Sequence, residues 1–351
     1  MNNQPIILCE NINLELQLLL DKTPADRVFL LTDEHTHLLC KQLIMTSLES
    51  RSVYEIIIKP EDTHKNTESL CHVWQELSNH GGSRKSLLIN LGGGMVTDLG
   101  GFAAATFKRG IKCINIPTTL LAMVDASVGG KTGINFNGLK NEIGAFYDAI
   151  AVLIDTTFLQ TLDHNNILSG YGEMLKHGMI ANQTYFKDLI ALDLDNPPIK
   201  ELQRLIGISV DVKRKIVIED PKEQGIRKAL NLGHTVGHAF ESLALEEDRH
   251  ILHGYAVAWG LICELYLSHV VCGLPIELLR SASHYVTTHY GRFEFTCNHT
   301  ERLLELMMHD KKNVGGIINF TLLSDIGEVK IDQTVNKALI IEMLDFYREG
   351  L

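Results

Sequence analysis

The chain has 351 residues, 45% of them hydrophobic, which is material for about two domains with real cores. A formal net charge of −11 argues against a nucleic-acid or anionic-membrane surface, since both need a basic stripe. No apolar run is read as approaching the roughly 18 residues of a bilayer span, and the start, MNNQPIILCENINLE, lacks the layout of a secretion signal, so a cytoplasmic location is expected.

In chain order, the first half alternates short apolar runs with helical patterns: RVFLLTD (27–33), VYEIIIK (53–59), SLLINLGGG (86–94), CINIPTT (113–119) and AVLID (151–155). This alternation predicts βαβ units and a parallel sheet, with ligands at the carboxyl ends of the strands. Asp33 ends one such strand and can accept ribose hydroxyls. Another ends in Gly92, Gly93 and Gly94 ahead of MVTDLGGFAAATF, a small-residue helix whose first amides can receive a pyrophosphate. Two standard phosphate motifs fail: Thr97 replaces the last glycine of G-x-G-x-x-G, and Asp125 stands where an ATP-type loop ahead of Gly130 needs glycine.

Several cations lie inside glycine-bearing segments: Arg109 in TFKRG, Lys131 in GGKTG, Lys140 in GLKNEIG and Lys176 in GEMLKHG. Each is either an ordinary surface cation or a group that approaches a bound anion. Seven cysteines, at 9, 40, 71, 113, 263, 272 and 297, form no Cys-x2-Cys pair, so reduced thiols are expected rather than a disulfide framework or a thiolate zinc site.

From about residue 160 the pattern is helical, except near INFTLLSDIGEVKI (318–331). The division expected is a Rossmann-like α/β nucleotide-binding domain over 1–160 and a mostly α-helical metal- and substrate-binding domain over 161–351. In a helix beginning near Ser169, Glu173 and Lys176 share a face. RKALNLGHTVGHAFESLALEEDRHILH (227–253) sets Arg227, Asn231, His234 and His238 at helical spacing, predicting one continuous stripe on one face, with His253 a connection later. Imidazoles beside an arginine suggest a divalent metal facing an anionic substrate, with a carboxylate as third ligand; against this stands a solvated polar face. Spacing leaves open which histidines would bind.

Taken together, LGGGMVTDLGGFAAATFKRG, IPTTLLAMVDASVGGKTGIN, KNEIGAF, GEMLKHG, LNLGHTVGHAFE, LHGYAVAWG and a late DKK resemble the sugar-phosphate cyclase family over nearly the whole chain. The resemblance implies a homodimer that uses NAD and one zinc or cobalt ion. It implies metal ligands Glu173, His234 and His253, with His238 left to the substrate pocket as a candidate for proton transfer. NAD contacts then fall on Asp33, Asp62, Lys65, Gly93, Gly94, Asp98, Thr118, Thr119, Asp125, Lys131, Lys140 and Thr161. Substrate contacts fall on Arg109, Lys131, Asn141, Lys176, Lys213, Arg227, Asn231, His238 and Lys312. Where the family commonly has Pro-x-Gly-Lys-Asn, this chain has Asn137-Gly138-Leu139-Lys140-Asn141. The implied activity is a redox-neutral phosphate elimination and ring closure on a seven-carbon keto-acid sugar phosphate. The alternatives are a sister cyclase such as 2-deoxy-scyllo-inosose synthase, a metal-dependent polyol dehydrogenase, and a catalytically silent nucleotide-binding protein.

Overall fold

A computed structural model describes residues 4–137, 139–195, 197–308 and 317–350. The chain divides into two compact units, Met1–Asp163 and His164–Leu351.

The first unit is built on strands β1 (Ile6–Leu8), β2 (Val28–Asp33), β3 (Val53–Ile58), β4 (Leu87–Gly92), β5 (Lys112–Pro117) and β8 (Ala151–Ile154), joined in parallel in the order β1-β8-β5-β4-β2-β3. β2, β4 and β8 are buried along their whole length, which is why their sequences run apolar without alternation. Helices α3 (Thr67–Asn79) and α4 (Gly94–Thr106) cover one face, and Leu70, Val73, Leu77, Val96 and Leu99 close a core against Phe29, Leu31, Ile56 and Leu88. The chain steps from β2 outward to β3, then returns to β4 on the other flank of β2. β2 and β4 therefore bound a topological switch point, where such sheets bind ligands.

Two elements of this unit escape the sequence reading. One is the three-residue strand β1. The other is an antiparallel hairpin, β6 (Lys131–Phe136) and β7 (Leu139–Phe146), which packs its buried Ile134 toward α3 and α4 and leaves β7 largely exposed.

The second unit comprises α5 (His164–Ala181), α6 (Gln183–Ala191), α7 (Ile199–Glu219), α8 (His234–Glu246), α9 (His253–Cys272), α10 (Ile276–Tyr290), α11 (Thr300–Met308) and α12 (Lys337–Glu349), with the antiparallel pair β9 (Asn319–Asp325) and β10 (Glu328–Thr334). α5 starts five residues before the predicted Ser169. α9 overturns one expectation: at 20 residues and mean hydropathy 1.4 it is long and apolar enough to cross a bilayer. Its composition has another cause, because α5, α8, α10, α12 and β9 all pack around it and bury both its apolar sides.

Candidate functional site

In the second unit, α5 brings Glu173 and Lys176 to the start of α8 and α9. Glu173 has no solvent exposure, and its carboxylate contacts the ammonium of Lys176, itself 1% exposed. His234 Nε2 and His253 Nε2 each lie 3.3 Å from the same Glu173 oxygen, Oε1. The other oxygen, Oε2, faces the Lys176 ammonium, which leaves Oε1 to the two imidazoles. A tetrahedral zinc holds its ligand atoms about 2.0–2.1 Å away, which puts those atoms roughly 3.3–3.4 Å from one another. The spacing of Oε1 from the two imidazoles thus suits ligands around a shared cation better than hydrogen-bonded neighbours.

His234, His238 and His253 also offer ring nitrogens within 4.8 Å of one another, so distance alone admits His238 as a donor. Two of the three have the outer nitrogen held. His253 Nδ1 is 2.9 Å from Glu241 Oε2, and His234 Nδ1 is 3.2 Å from the Leu232 carbonyl. With Nδ1–H donated to those oxygens, Nε2 is the atom left to serve as ligand on both rings once it is deprotonated, the arrangement of metal-ligating histidines. Burial alone would raise Glu173, but Lys176 and His234 outweigh it and hold the carboxyl well below its ordinary value.

The predicted continuous stripe from Arg227 to His238 is not a single helix. Ile226–Asn231 is a 3-10 turn, and Gly233, at φ +80, breaks the path before α8 starts at His234. A left-handed residue cannot continue a right-handed helix, and glycine adopts that conformation without strain. His234 and His238 keep their common face, whereas Arg227 and Asn231 are set by a loop. Asp220 accepts the amides of Gln224 (3.0 Å), Gly225 (2.6 Å) and Arg227 (3.1 Å) in that loop. Arg227 is buried and donates to the Pro221 carbonyl at 2.7 Å, while Asn231 donates to Glu223 at 3.1 Å. Lys213 is buried on α7, which packs on the same turn and on α5. Lys312 lies outside the described residues.

In the first unit, Gly93 is the N-cap of α4 and offers no side chain to its first amides. A Cβ on Gly93 would lie 3.0 Å from Thr119 Cγ2, tighter than an ordinary contact, so the turn is close-packed at this glycine. Thr118 donates its amide to Gly92 O at 3.0 Å, and the Asp125 segment forms a π-helical turn over Ala122–Ala126. Across the switch point, Asp33 caps the short helix α2 (Glu34–Leu39), its Oδ1 accepting the Thr36 amide at 2.8 Å. Thr161 contacts Cys40 at 3.6 Å; Thr161, Asp33 and Thr118 all act on that thiol, whose pKa burial pushes up.

A second group gathers on the hairpin. Lys65 Nζ reaches Asn141 Oδ1 at 2.6 Å, Asp98 at 3.1 Å and Asp62 at 3.3 Å, which matches all three donors of an ammonium. Lys140 lies 3.7 Å from Asp62. Burial works against the charge of Lys65, yet Asp98 and Asp62 hold its proton above the ordinary lysine value. Asn137 and Asn141 both take φ +51, which Asn tolerates better than most residues. Arg109, at φ +69, and Lys131 are exposed.

Three residues here were not singled out from sequence. Glu241 and Glu264 are buried carboxylates inside otherwise apolar helices, a signal that was available. Asn135, which donates to Asp62 and accepts the Asn141 amide at 2.9 Å, had no such signal.

Against known proteins, residues 55–169 match the family described as 3-dehydroquinate synthase N-terminal, and residues 170–313 the family described as 3-dehydroquinate synthase C-terminal. A 3-dehydroquinate synthase of Parabacteroides distasonis is 53% identical over 350 residues, covering 100% of this chain and 99% of the relative. Among solved structures, 2-epi-5-epi-valiolone synthase from Streptomyces hygroscopicus, with NAD+ and Zn2+ bound, has a TM-score of 0.88 at 23% identity, covering 99% of this chain and 98% of its own. A 2-deoxy-scyllo-inosose synthase complexed with carbaglucose-6-phosphate, NAD+ and Co2+ has a TM-score of 0.87 at 22% identity, covering 99% and 96%. At these identities the two structures establish the fold.

Proposed function

The chain belongs to the 3-dehydroquinate synthase family, and we propose that it carries out that family's reaction, converting 3-deoxy-D-arabino-heptulosonate 7-phosphate to 3-dehydroquinate and phosphate. The observation that carries this reading is the convergence of Glu173, His234 and His253 on one point, with Glu173 Oε1 held 3.3 Å from both rings. Full-length identity of 53% to a named 3-dehydroquinate synthase weighs against a sister cyclase or a polyol dehydrogenase.

Glu173, His234 and His253 would hold the zinc or cobalt ion. Asp33, Gly93, Gly94, Thr118, Thr119, Asp125 and Thr161 would hold NAD, with Asp62, Lys65, Asp98 and Lys140 shaping the hairpin beside it, and Lys131 at its foot. When bound, these groups supply a hydride acceptor that is restored within the cycle and a Lewis acid that polarises an alcohol oxygen. The protein's own side chains do the rest. Arg109, Lys131, Lys213, Arg227 and Lys312 are assigned to the two anionic ends of the substrate, because a phosphate and a carboxylate both need opposed cations, with Asn141 adding a neutral amide donor. Lys176 and Asn231 would hold substrate hydroxyls and developing oxyanions. His238, next to the ligand rings, would move a proton, since imidazole titrates near working pH.

The test supplies the heptulosonate phosphate with catalytic NAD and added Zn2+ or Co2+. Phosphate and dehydroquinate should form together with no net change in nicotinamide absorbance. NADH accumulating without phosphate would place the chain with the polyol dehydrogenases instead.

Metal loading should depend on pH. Without a cation, burial disfavours the charge on His253, but Glu241 and Glu173 outweigh it and push this imidazole up to about 10. A bound metal must displace that proton, so affinity is expected to rise on the order of tenfold per unit as the pH climbs toward that value. Chelator competition between pH 6 and 8 measures it; affinity that does not change with pH removes His253 from the ligand set.

A homodimer and a cytoplasmic location belong to the same reading. Phe136, Leu139, Ile143 and Phe146 stand exposed on the hairpin, a surface suited to a second copy. All seven cysteines are free thiols, as a reducing compartment keeps them.

A further inference from the structure

The first turn of α8 needs acceptors for its amides, and its N-cap, Gly233, has no side chain to supply one. The acceptor comes from another helix. Glu264, on α9, takes the Gly233 N–H on Oε2 at 2.7 Å and the Thr235 and Val236 N–H groups on Oε1 at 3.0 and 3.4 Å. Glu264 has no solvent exposure, and an anion at this place is favoured by the positive end of the α8 dipole. The close approach depends on glycine: a Cβ on Gly260 would lie 2.0 Å from the Gly233 carbonyl oxygen.

His234 is the residue between the clamped amides of Gly233 and Thr235. His253 is the first residue of α9, about three turns before Glu264 on the same helix. One rod therefore carries one imidazole at its start and a clamp on the backbone of the other. We propose that Glu264 is a positioning residue: it sets where His234 stands relative to His253, and so tunes the ligand spacing, without touching metal or substrate. The proposal rests on the metal reading given above. Residue 233 cannot supply the acceptor itself, because its φ of +80 and an added Cβ 2.9 Å from the Val257 carbonyl oxygen reserve the position for glycine; the acceptor is borrowed instead from the helix that bears the second ligand.

The experiment titrates the metal-free chain with Co2+, following its visible absorption, alongside thermal unfolding of the metal-free protein. Glu264→Gln keeps the shape but turns one of the two acceptors into a donor facing an N–H. It is expected to weaken Co2+ binding about 10- to 100-fold, the range seen when partners of metal ligands are altered, and to shift the absorption of the bound ion. Glu264→Asp keeps the charge and loses reach, and should fall between the variant and the wild type. A cap serving stability alone predicts a lower unfolding temperature with unchanged Co2+ spectrum and affinity, and that result overturns the proposal. If Glu264→Gln does not fold, Glu264→Asp decides: weakened binding supports the proposal and wild-type affinity overturns it. A wild-type chain that takes up no Co2+ overturns the metal reading and this proposal together, whereas wild-type binding with unaltered variants overturns this proposal alone.

Discussion

Glu173→Ala is expected to lose metal retention and turnover together, with turnover falling by at least about 10³-fold. Lewis-acid stabilisation of developing charge is worth several kcal/mol, and each 1.36 kcal/mol is a factor of ten in rate. The effect should be this large because Glu173 is the point on which the constellation converges: its Oε1 is the atom 3.3 Å from both His234 Nε2 and His253 Nε2. The substitution also deprives the buried Lys176 ammonium of the carboxylate it contacts, so a rigorous comparison adds Glu173→Gln, which keeps the volume and removes the charge. Metal content after dialysis and the phosphate-release rate are the two readouts. A variant that keeps one equivalent of metal and turns over normally eliminates Glu173 as a ligand.

The parts of this molecule legible in sequence are those whose physics is local. Five of the six strands of the parallel sheet could be read because strands buried on both faces become unbroken apolar runs, as in Val28–Asp33 and Leu87–Gly92. The sixth, Ile6–Leu8, has only three residues and pairs at an edge. The β6–β7 hairpin shows in sequence only as glycine-bearing segments that hold cations, because Gly133 and Gly144 interrupt it and β7 faces outward. The stripe from Arg227 to His238 fitted helical spacing, yet Gly233 carried the warning that such a pattern can break. AVAWGLICELYLSHVV reads as helical, yet its full apolar length and the role of Glu264 as the cap of a neighbouring helix emerge only from packing. At the site, His234 and His238 could be paired from spacing, but Glu173 lies far away in sequence and only the packing of α5 against α9 brings it near. Resemblance, rather than periodicity, selected His253 over His238.

That packing supplies the second large expectation. Gly172 precedes Glu173 and Gly254 follows His253, and these two glycines are where α5 and α9 touch backbone to backbone. A Cβ on Gly254 would sit 1.7 Å from the Ser169 carbonyl oxygen, and one on Gly172 would sit 2.4 Å from the Gly254 carbonyl oxygen. Gly254 also donates its amide to Ser169 Oγ at 3.1 Å, so the contact is hydrogen-bonded as well as close. Gly254→Ala would have to push the helices more than an ångström apart against rigid backbone, not against a side chain that can swing away. Overpacking of this kind costs about 1–3 kcal/mol or more, and the same displacement separates Glu173 from His253 beyond the span of one cation. The expected result is a lowered unfolding temperature together with loss of stoichiometric metal. Gly273→Ala is the matched comparison: it has φ +78 at the end of the same helix but nothing within 4 Å of the added carbon. It should cost only the left-handed strain of about 1–2 kcal/mol and keep the metal. If Gly254→Ala binds metal as tightly as Gly273→Ala does, the α5–α9 contact does not set the ligand spacing, and Glu173 must reach His253 by side-chain freedom alone.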